Sequence, residues 1–290
     1  TEIILFQLPT LQPVITKRHF HETGTLRIYQ KFCIPLNNVK KSVDQIMSLE
    51  IAKVSAGAFI FLVQSKEDTK KEFKEKFNEL AKIKFPRPII LGCSENYKEF
   101  FNYALELAAL KRAKSTVAAI ESDPVAKKEL NARMTAYQNL LFNSLTKNFE
   151  DAMWLFNNKK IQGENLSIIA SNVSDDVFHL APIFHNELVN RDKLSNSSTQ
   201  GSTNLINRIF NHGDKENLAM EGHPAELGIF LSVIKKHHLH KKTKNGFQFC
   251  APQKKEGKLF DLYETFNKII KEKKDPIPLT EIYSLFSKAP

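Results

Sequence analysis

The sequence predicts a mixed α+β protein: an N-terminal α/β layer built on a βαβ unit, a long helical hairpin arm, and a C-terminal, mostly helical, basic region. Three observations carry this. The short apolar runs Ala58-Phe-Ile-Phe-Leu-Val63 and Pro88-Ile-Ile-Leu-Gly92 flank a charged stretch with helical periodicity, as expected for strands buried on both faces and joined by a crossover helix. Asp123-Pro124 then opens a long apolar stripe at three-to-four spacing. Finally, residues 227–253 contain no acid and lead into further lysines.

Residues 3–8 and 26–34 have the β-branched and aromatic bias of strands. A helix is expected over 39–53. Another is expected over 66–84, where Phe73, Phe77, Leu80 and Ile83 share one face. Strand, helix, strand at this spacing predicts a parallel pair with a right-handed crossover and a first domain over residues 1–95. Ligands of such sheets bind at the strands' carboxyl ends, which directs attention to Gln64-Ser-Lys-Glu-Asp68 and Cys93-Ser-Glu-Asn96. Neither is a GxxxxGK[ST] loop, and none occurs elsewhere in the chain. The plain reading is a structural layer.

Residues 96–157 read as helical and form the arm, assigned to 96–158. Phe100, Ala104, Leu107 and Ala108 make one stripe. Asp123 caps a second helix with Pro124 at its first position, and Leu130, Met134, Tyr137, Leu141, Leu145 and Phe149 form its apolar face. Two antiparallel helices are the simplest arrangement. The third domain, 159–290, is expected to contain a short strand at 159–161 and a helix at 166–178. Residues 195–201 should be a polar loop, with Ser202 or Thr203 capping a helix over 204–211 that stops at Gly213. After the turn Glu221-Gly-His-Pro-Ala225, a helix is expected over 225–237, then a strand at 246–250 and helices at 259–271 and 279–287. A basic turn and strand between helices are compatible with a winged-helix-like module.

The formal charge is +10 over 290 residues, which attracts phosphate polyanions by a term that salt weakens. Eight lysines lie between 235 and 258, opposed only by Glu256. The favourable field of a helix C-terminus accounts for two of them at most. The sites singled out for phosphate contact are Lys235, Lys236, His238, His240, Lys241, Lys242, Lys244, Lys254 and Lys255. The histidines here are read as exposed rather than metal-binding.

The densest polar cluster is Ala181–Ser195, with His185, Asn186, Glu187, Asn190, Arg191, Asp192 and Lys193. It completes no catalytic template. The expectation is a corner in which Asn186, Asn190 and Arg191 bond backbone and carboxylates around a helix end. Arg191 and Lys193 join the candidate phosphate contacts if the fold brings them to the basic face. Asp175, Asp176, Glu187, Asp192 and Lys193 invite a metal-nuclease reading, but the strand-borne acid, spacer, acid-x-lysine pattern is missing. HExxH and GxSxG are absent. Arg208-Ile-Phe-Asn-His212 resembles the arginine-to-histidine motif of small helical ribonucleases at shorter spacing.

Cys33, Cys93 and Cys250 are far apart and without ligand spacing, as in a reduced, cytoplasmic protein. The apolar runs are too short to cross a bilayer. The chain opens on Thr1 and closes on Phe286-Ser-Lys-Ala-Pro290, which reads as a piece of a longer protein.

The run His185-Asn-Glu-Leu-Val-Asn-Arg-Asp-Lys-Leu-Ser195 resembles an NELxNRxKLS-like signature. It belongs to large prokaryotic multidomain ATPases of phage defence (BREX-type and related systems), outside their motor domain. Leu218-Ala-Met-Glu-Gly-His-Pro-Ala-Glu226 and Leu239-His-Lys241 are similar to the blocks that follow. Upstream, Gly24-Thr-Leu-Arg27 and Asp123-Pro-Val-Ala-Lys-Lys-Glu-Leu130 are similar too. The resemblance implies a cytoplasmic defence protein acting on DNA with partner proteins, with ATP and Mg bound only in a motor domain elsewhere. It leaves no cofactor to this chain. The expected function is therefore a non-catalytic, nucleic-acid-contacting or partner-docking region, able to oligomerise. The alternatives are an interaction scaffold that docks a partner on the arm without binding nucleic acid, and a metal-dependent nuclease.

Overall fold

A computed structural model describes residues 8–36, 38–49, 55–64, 69–94, 97–190, 195–244, 246–273 and 276–286. In chain order they form β1 (Val14–Ile15), α1 (Lys17–Thr23), β2 (Ile28–Leu36), α2 (Val39–Ser48), β3 (Gly57–Gln64), α3 (Lys70–Ala81) and β4 (Ile89–Cys93). Then come α4 (Lys98–Thr116), α5 (Ala118–Ser122), α6 (Pro124–Asp151), β5 (Met153–Phe156), β6 (Lys159–Ile161), α7 (Leu166–Val177) and α8 (Asn196–His212). The chain ends with α9 (Ala225–Ile229), which continues as a π-helical turn (Phe230–Lys235), then β7 (His240–Thr243), β8 (Gly246–Phe249), α10 (Lys258–Glu272) and α11 (Leu279–Phe286). The chain gathers into two compact units, Thr1–Ile15 with Ile28–Val173, and Thr16–Arg27 with Ser174–Pro290. The strand expected at 3–8 falls almost wholly outside the described residues.

The first unit is organised by β3, whose residues 57–63 are all buried. A strand shielded on both faces must find apolar cover on each. Ala58, Ile60 and Leu62 turn to one face and pack with Ile46 of α2 and Phe77 and Leu80 of α3. Phe59 and Phe61 turn to the other, against Trp154, Phe100 and Phe149. The sheet order is β1-β2-β3-β4-β5-β6. Strands β2, β3 and β4 run parallel, and β1, β5 and β6 are antiparallel to their neighbours. The predicted βαβ unit is present, with α3 started by the capping box of Thr69 and Glu72.

The arm is a pair of long helices. Ser144 Oγ donates to Glu99 Oε2, Tyr103 faces Tyr137, and Lys114 Nζ donates to Asn131 Oδ1. One number rises as its partner falls, so α4 and α6 are antiparallel. Asp123 caps α6, accepting from Val125 N at 2.8 Å and Ala126 N at 3.3 Å.

Helix was expected to run to about residue 157, yet it ends at Asp151, and Met153–Phe156 adds a strand to the sheet. Asn157 and Asn158 have φ of 48° and 62°. Two left-handed residues make the two-residue turn that matches strand twist, and they fold β6 back onto β5.

In the second unit, the expected polar loop at 195–201 is instead the start of α8. Ser195 is its cap, accepting from Ser198 N at 3.1 Å. Ser198 is fully buried, and a Cβ on Gly201 would lie 3.4 Å from Ala225 Cβ. Small residues here let α8 and α9 approach closely, and that packing outweighs the weak helix propensity of Ser, Asn and Thr. Leu205, Leu218, Ile229, Phe230 and Ile234 form the core of this unit.

Candidate nucleic-acid interface

The basic segment occupies one continuous feature of the second unit: the end of the π-helical turn, the β7–β8 hairpin, and the short 3-10 turn Lys254–Glu256. The widening of the helix has a local cause. Ser232 Oγ donates to the Gly228 carbonyl at 2.8 Å, and Asn186 Nδ2 donates to that carbonyl at 3.1 Å and to Ser232 Oγ at 2.6 Å. Side chains inserted at the backbone ladder leave the next turn to close five residues apart, as in Lys236 N to Leu231 O and Leu239 N to Ile234 O, both 3.0 Å. His238, at φ 54°, then turns the chain into β7.

The hairpin is bound to the core by its apolar face. His240 pairs with Phe249, Lys241 with Gln248, and Lys242 with Phe247. Alternation puts His240, Lys242, Phe247 and Phe249 on one side and Lys241 and Gln248 on the other. The His240 ring lies against Phe230, Phe247 and Phe249, with centroids 5.7, 5.3 and 4.7 Å away. Its Nε2 donates to the Gly213 carbonyl at 2.8 Å. His240 is 8% exposed, so it is a core histidine. The expectation that it is an exposed phosphate contact is corrected. The Asp214 carbonyl accepts from Phe247 N at 3.0 Å and fastens the hairpin to the end of α8.

Lys235, Lys236, His238, Lys242, Lys244, Lys254 and Lys255 are exposed, and Lys241 is half-buried. Lys235 Nζ donates to Asn217 Oδ1 at 3.2 Å. The one opposing acid is engaged: Glu256 Oε2 meets His237 Nδ1 at 2.9 Å. That hydrogen bond holds the Glu256 carboxyl below its usual range. The same contact draws the 3-10 turn, with Lys254 and Lys255, toward the end of the π-helical turn. Nine of the eleven singled-out residues thus belong to one feature, and eight of the nine have side chains that reach solvent. Arg191 and Lys193 lie outside the described residues.

The polar corner behaves as expected where it is described. Leu188 N donates to Asn186 Oδ1 at 2.8 Å, and Asn190 Nδ2 donates to the Phe184 carbonyl. Gly24 caps α1 with φ 73°, and a Cβ there would meet Phe184 O at 2.9 Å. Only glycine fits both the backbone angle and the approach.

A second cluster had no sequence signal. Arg27 Nε donates to His19 Nε2 at 3.2 Å, which leaves the His19 proton on Nδ1, 2.7 Å from Asp175 Oδ1. Arg18 donates to the other carboxylate oxygen. Burial pushes the His19 imidazolium below its ordinary value, with Arg27 and Arg18 adding to this against the pull of Asp175. Burial would raise the Asp175 carboxyl, but the bonds from His19 and Arg18 overcome it, and the net shift is downward. His19 is 3% exposed with both nitrogens bonded, so this is an internal clamp with no open reacting atom.

Asp175, the first acid of the nuclease reading, is committed to that clamp. Among the described residues no three His, Cys, Asp or Glu side chains gather as a metal site. Arg208 is likewise structural. Its Nε meets buried Glu226 at 3.2 Å, and its Nη1 reaches the Ala219 carbonyl at 3.2 Å. These bonds hold Asn217, Leu218 and Ala219, three consecutive residues at φ 45–55°, a conformation that costs energy at each position. No helix among the described residues is long and apolar enough to cross a membrane. Comparison with family models, curated proteins and solved structures finds no match to this chain.

Proposed function

We propose that the chain is a non-catalytic region that contacts the backbone of nucleic acid through its β7–β8 hairpin and the flanking lysines. In the winged-helix-like reading the hairpin serves as the wing. The observation that carries the proposal is the set of exposed lysines along residues 235–255, a segment with no acid of its own, while the carboxylate that follows it, Glu256, is bonded to His237. Such a surface binds phosphate by charge and does not read bases. Helix α8 supports this limit, because its single arginine is occupied by Glu226 and backbone carbonyls. The resemblance to antiphage-defence ATPases favours DNA in a cytoplasmic setting, with ATP hydrolysis supplied elsewhere.

The test is charge reversal read by fluorescence anisotropy on duplex DNA. Lys236→Glu with Lys242→Glu should weaken binding by about tenfold or more. Lys128→Glu with Lys147→Glu on the arm should change it by less than about twofold. Equal losses from both pairs would overturn the assignment to the hairpin.

A second reading has an observation of its own. Val125, Leu140 and Phe142 of α6 are 76%, 44% and 40% exposed. In this reading the arm docks a partner protein and the chain binds no nucleic acid.

A further inference from the structure

The first unit has a cavity of about 1180 Å³ at the carboxyl edge of its parallel strands. Its position follows from topology. Strand β3 is followed by α3, which packs on the sheet face of Ile60 and Leu62. The adjacent parallel strand β4 is followed by α4, whose Phe100 meets Phe61 on the opposite face. The two connections leave neighbouring strands in opposite directions and open a crevice between them, the place where open α/β sheets hold ligands. Gln64 from the end of β3 and Cys93 and Ser94 from the end of β4 line it.

The chemistry of the walls is uneven. Among the described residues, Lys70 and Lys74 from α3, Lys98 from α4 and Lys160 from β6 line it with one carboxylate, Asp151. The rest is largely aromatic and apolar, including Phe73, Tyr97, Phe101 and Met153. The volume is somewhat above the usual range for small-molecule sites, roughly 300–1,000 Å³. Cations on the rim over an aromatic floor suit a ligand with phosphate at one end and a ring at the other. No glycine lines the cavity among the described residues, and the lysine side chains are the groups there that can hold phosphate.

We propose that this crevice binds a phosphate-bearing small molecule of nucleotide size, with Lys74, Lys98 and Lys160 holding the phosphates and the Phe73, Tyr97 and Phe101 wall taking the ring. This site is independent of the hairpin, and neither reading depends on the other.

The experiment is calorimetric titration and thermal shift on the full chain with ATP, AMP, inorganic pyrophosphate and adenosine at up to millimolar concentrations. ATP and AMP should bind and raise the melting temperature, pyrophosphate should compete with them, and adenosine should bind at least about tenfold more weakly. Lys74→Ala with Lys98→Ala should weaken ATP at least about tenfold. These lysines are exposed, so the unliganded melting temperature should hold. Asn78→Trp, which keeps every charge and fills the crevice from exposed α3 surface, should abolish binding while leaving hairpin-dependent DNA affinity intact. Absence of any shift with all three phosphate compounds would overturn the proposal. So would equal affinity for adenosine, or ATP binding unchanged in both variants.

Discussion

The amide of Asn186 donates to Ser232 Oγ at 2.6 Å, across 46 residues of sequence. Through that bond and its partner to the Gly228 carbonyl, the polar corner holds the widened helical turn from which the basic segment emerges. Asn186→Ala would leave the Leu188 amide without its side-chain acceptor and the Gly228 carbonyl with Ser232 Oγ as its one remaining side-chain donor. It should cost about 1–3 kcal/mol in urea unfolding and weaken duplex DNA binding although no charge is removed. Full affinity in a destabilised variant would separate the corner from the interface.

His240 is expected to behave differently from the lysines around it. Its ring fills the space between Phe230, Phe247 and Phe249 and its Nε2 is bonded to Gly213. His240→Ala should lose roughly 2–4 kcal/mol of stability from the cavity and the orphaned carbonyl. Any DNA binding retained below the melting temperature should have an unchanged salt slope. A lowered slope with normal stability would make His240 a phosphate contact after all.

Gly92 lies directly beneath the Trp154 ring. A Cβ on it would come within 2.3 Å of the indole, and that indole is fixed by Nε1 donating to the Phe149 carbonyl at 3.1 Å. Gly92→Ala should therefore destabilise the first unit by about 1–3 kcal/mol through overpacking. Adding Trp154→Phe should recover part of the loss, which thermal unfolding of the two variants will show.

Much of the first unit was legible because its physics is local. The apolar runs at 58–63 and 88–92 and the periodicity between them are enough to specify parallel strands with a crossover helix. Met153–Phe156 was hidden by the apolar stripe of α6 running into it, although the Asn157-Asn158 pair was a readable hairpin signal. The first half of α8 was not legible, since Ser, Asn and Thr are weak helix formers, and the Ser195 cap, the burial of Ser198 and the packing of Gly201 beside Ala225 decide the matter together. The basic segment could be found from charge alone, but not the burial of His240 within it. The clamp of His19 and Asp175 joins residues 156 apart, and no pattern in a single sequence announces such a pair.

That clamp predicts a pH dependence. The folded state disfavours protonated His19 relative to the unfolded chain, so unfolding takes up a proton below the ordinary histidine value, about 6.5. Stability from this group is complete above that pH and falls as pH drops through it. Asp175 has a lowered pKa in the fold, so its contribution is lost only on acidification through the ordinary carboxylate range and below. Between pH 7.5 and 5.5 the His19 effect acts alone of the two. His19→Asn keeps a donor toward Asp175 without a titrating ring. It should reduce the loss of melting temperature over that interval relative to wild type, and an identical pH profile would remove His19 as its source.

The exposed lysines around β7–β8 are the proposed holders of nucleic-acid phosphates. The most direct measurement is duplex DNA affinity as a function of salt, for wild type and for Lys236→Ala, Lys242→Ala and Lys244→Ala combined. Affinity should fall linearly on logarithmic axes, and the triple variant should have a slope shallower by about three, close to one per lost phosphate contact. Salt-independent binding, or a triple variant with the wild-type slope, would contradict this assignment.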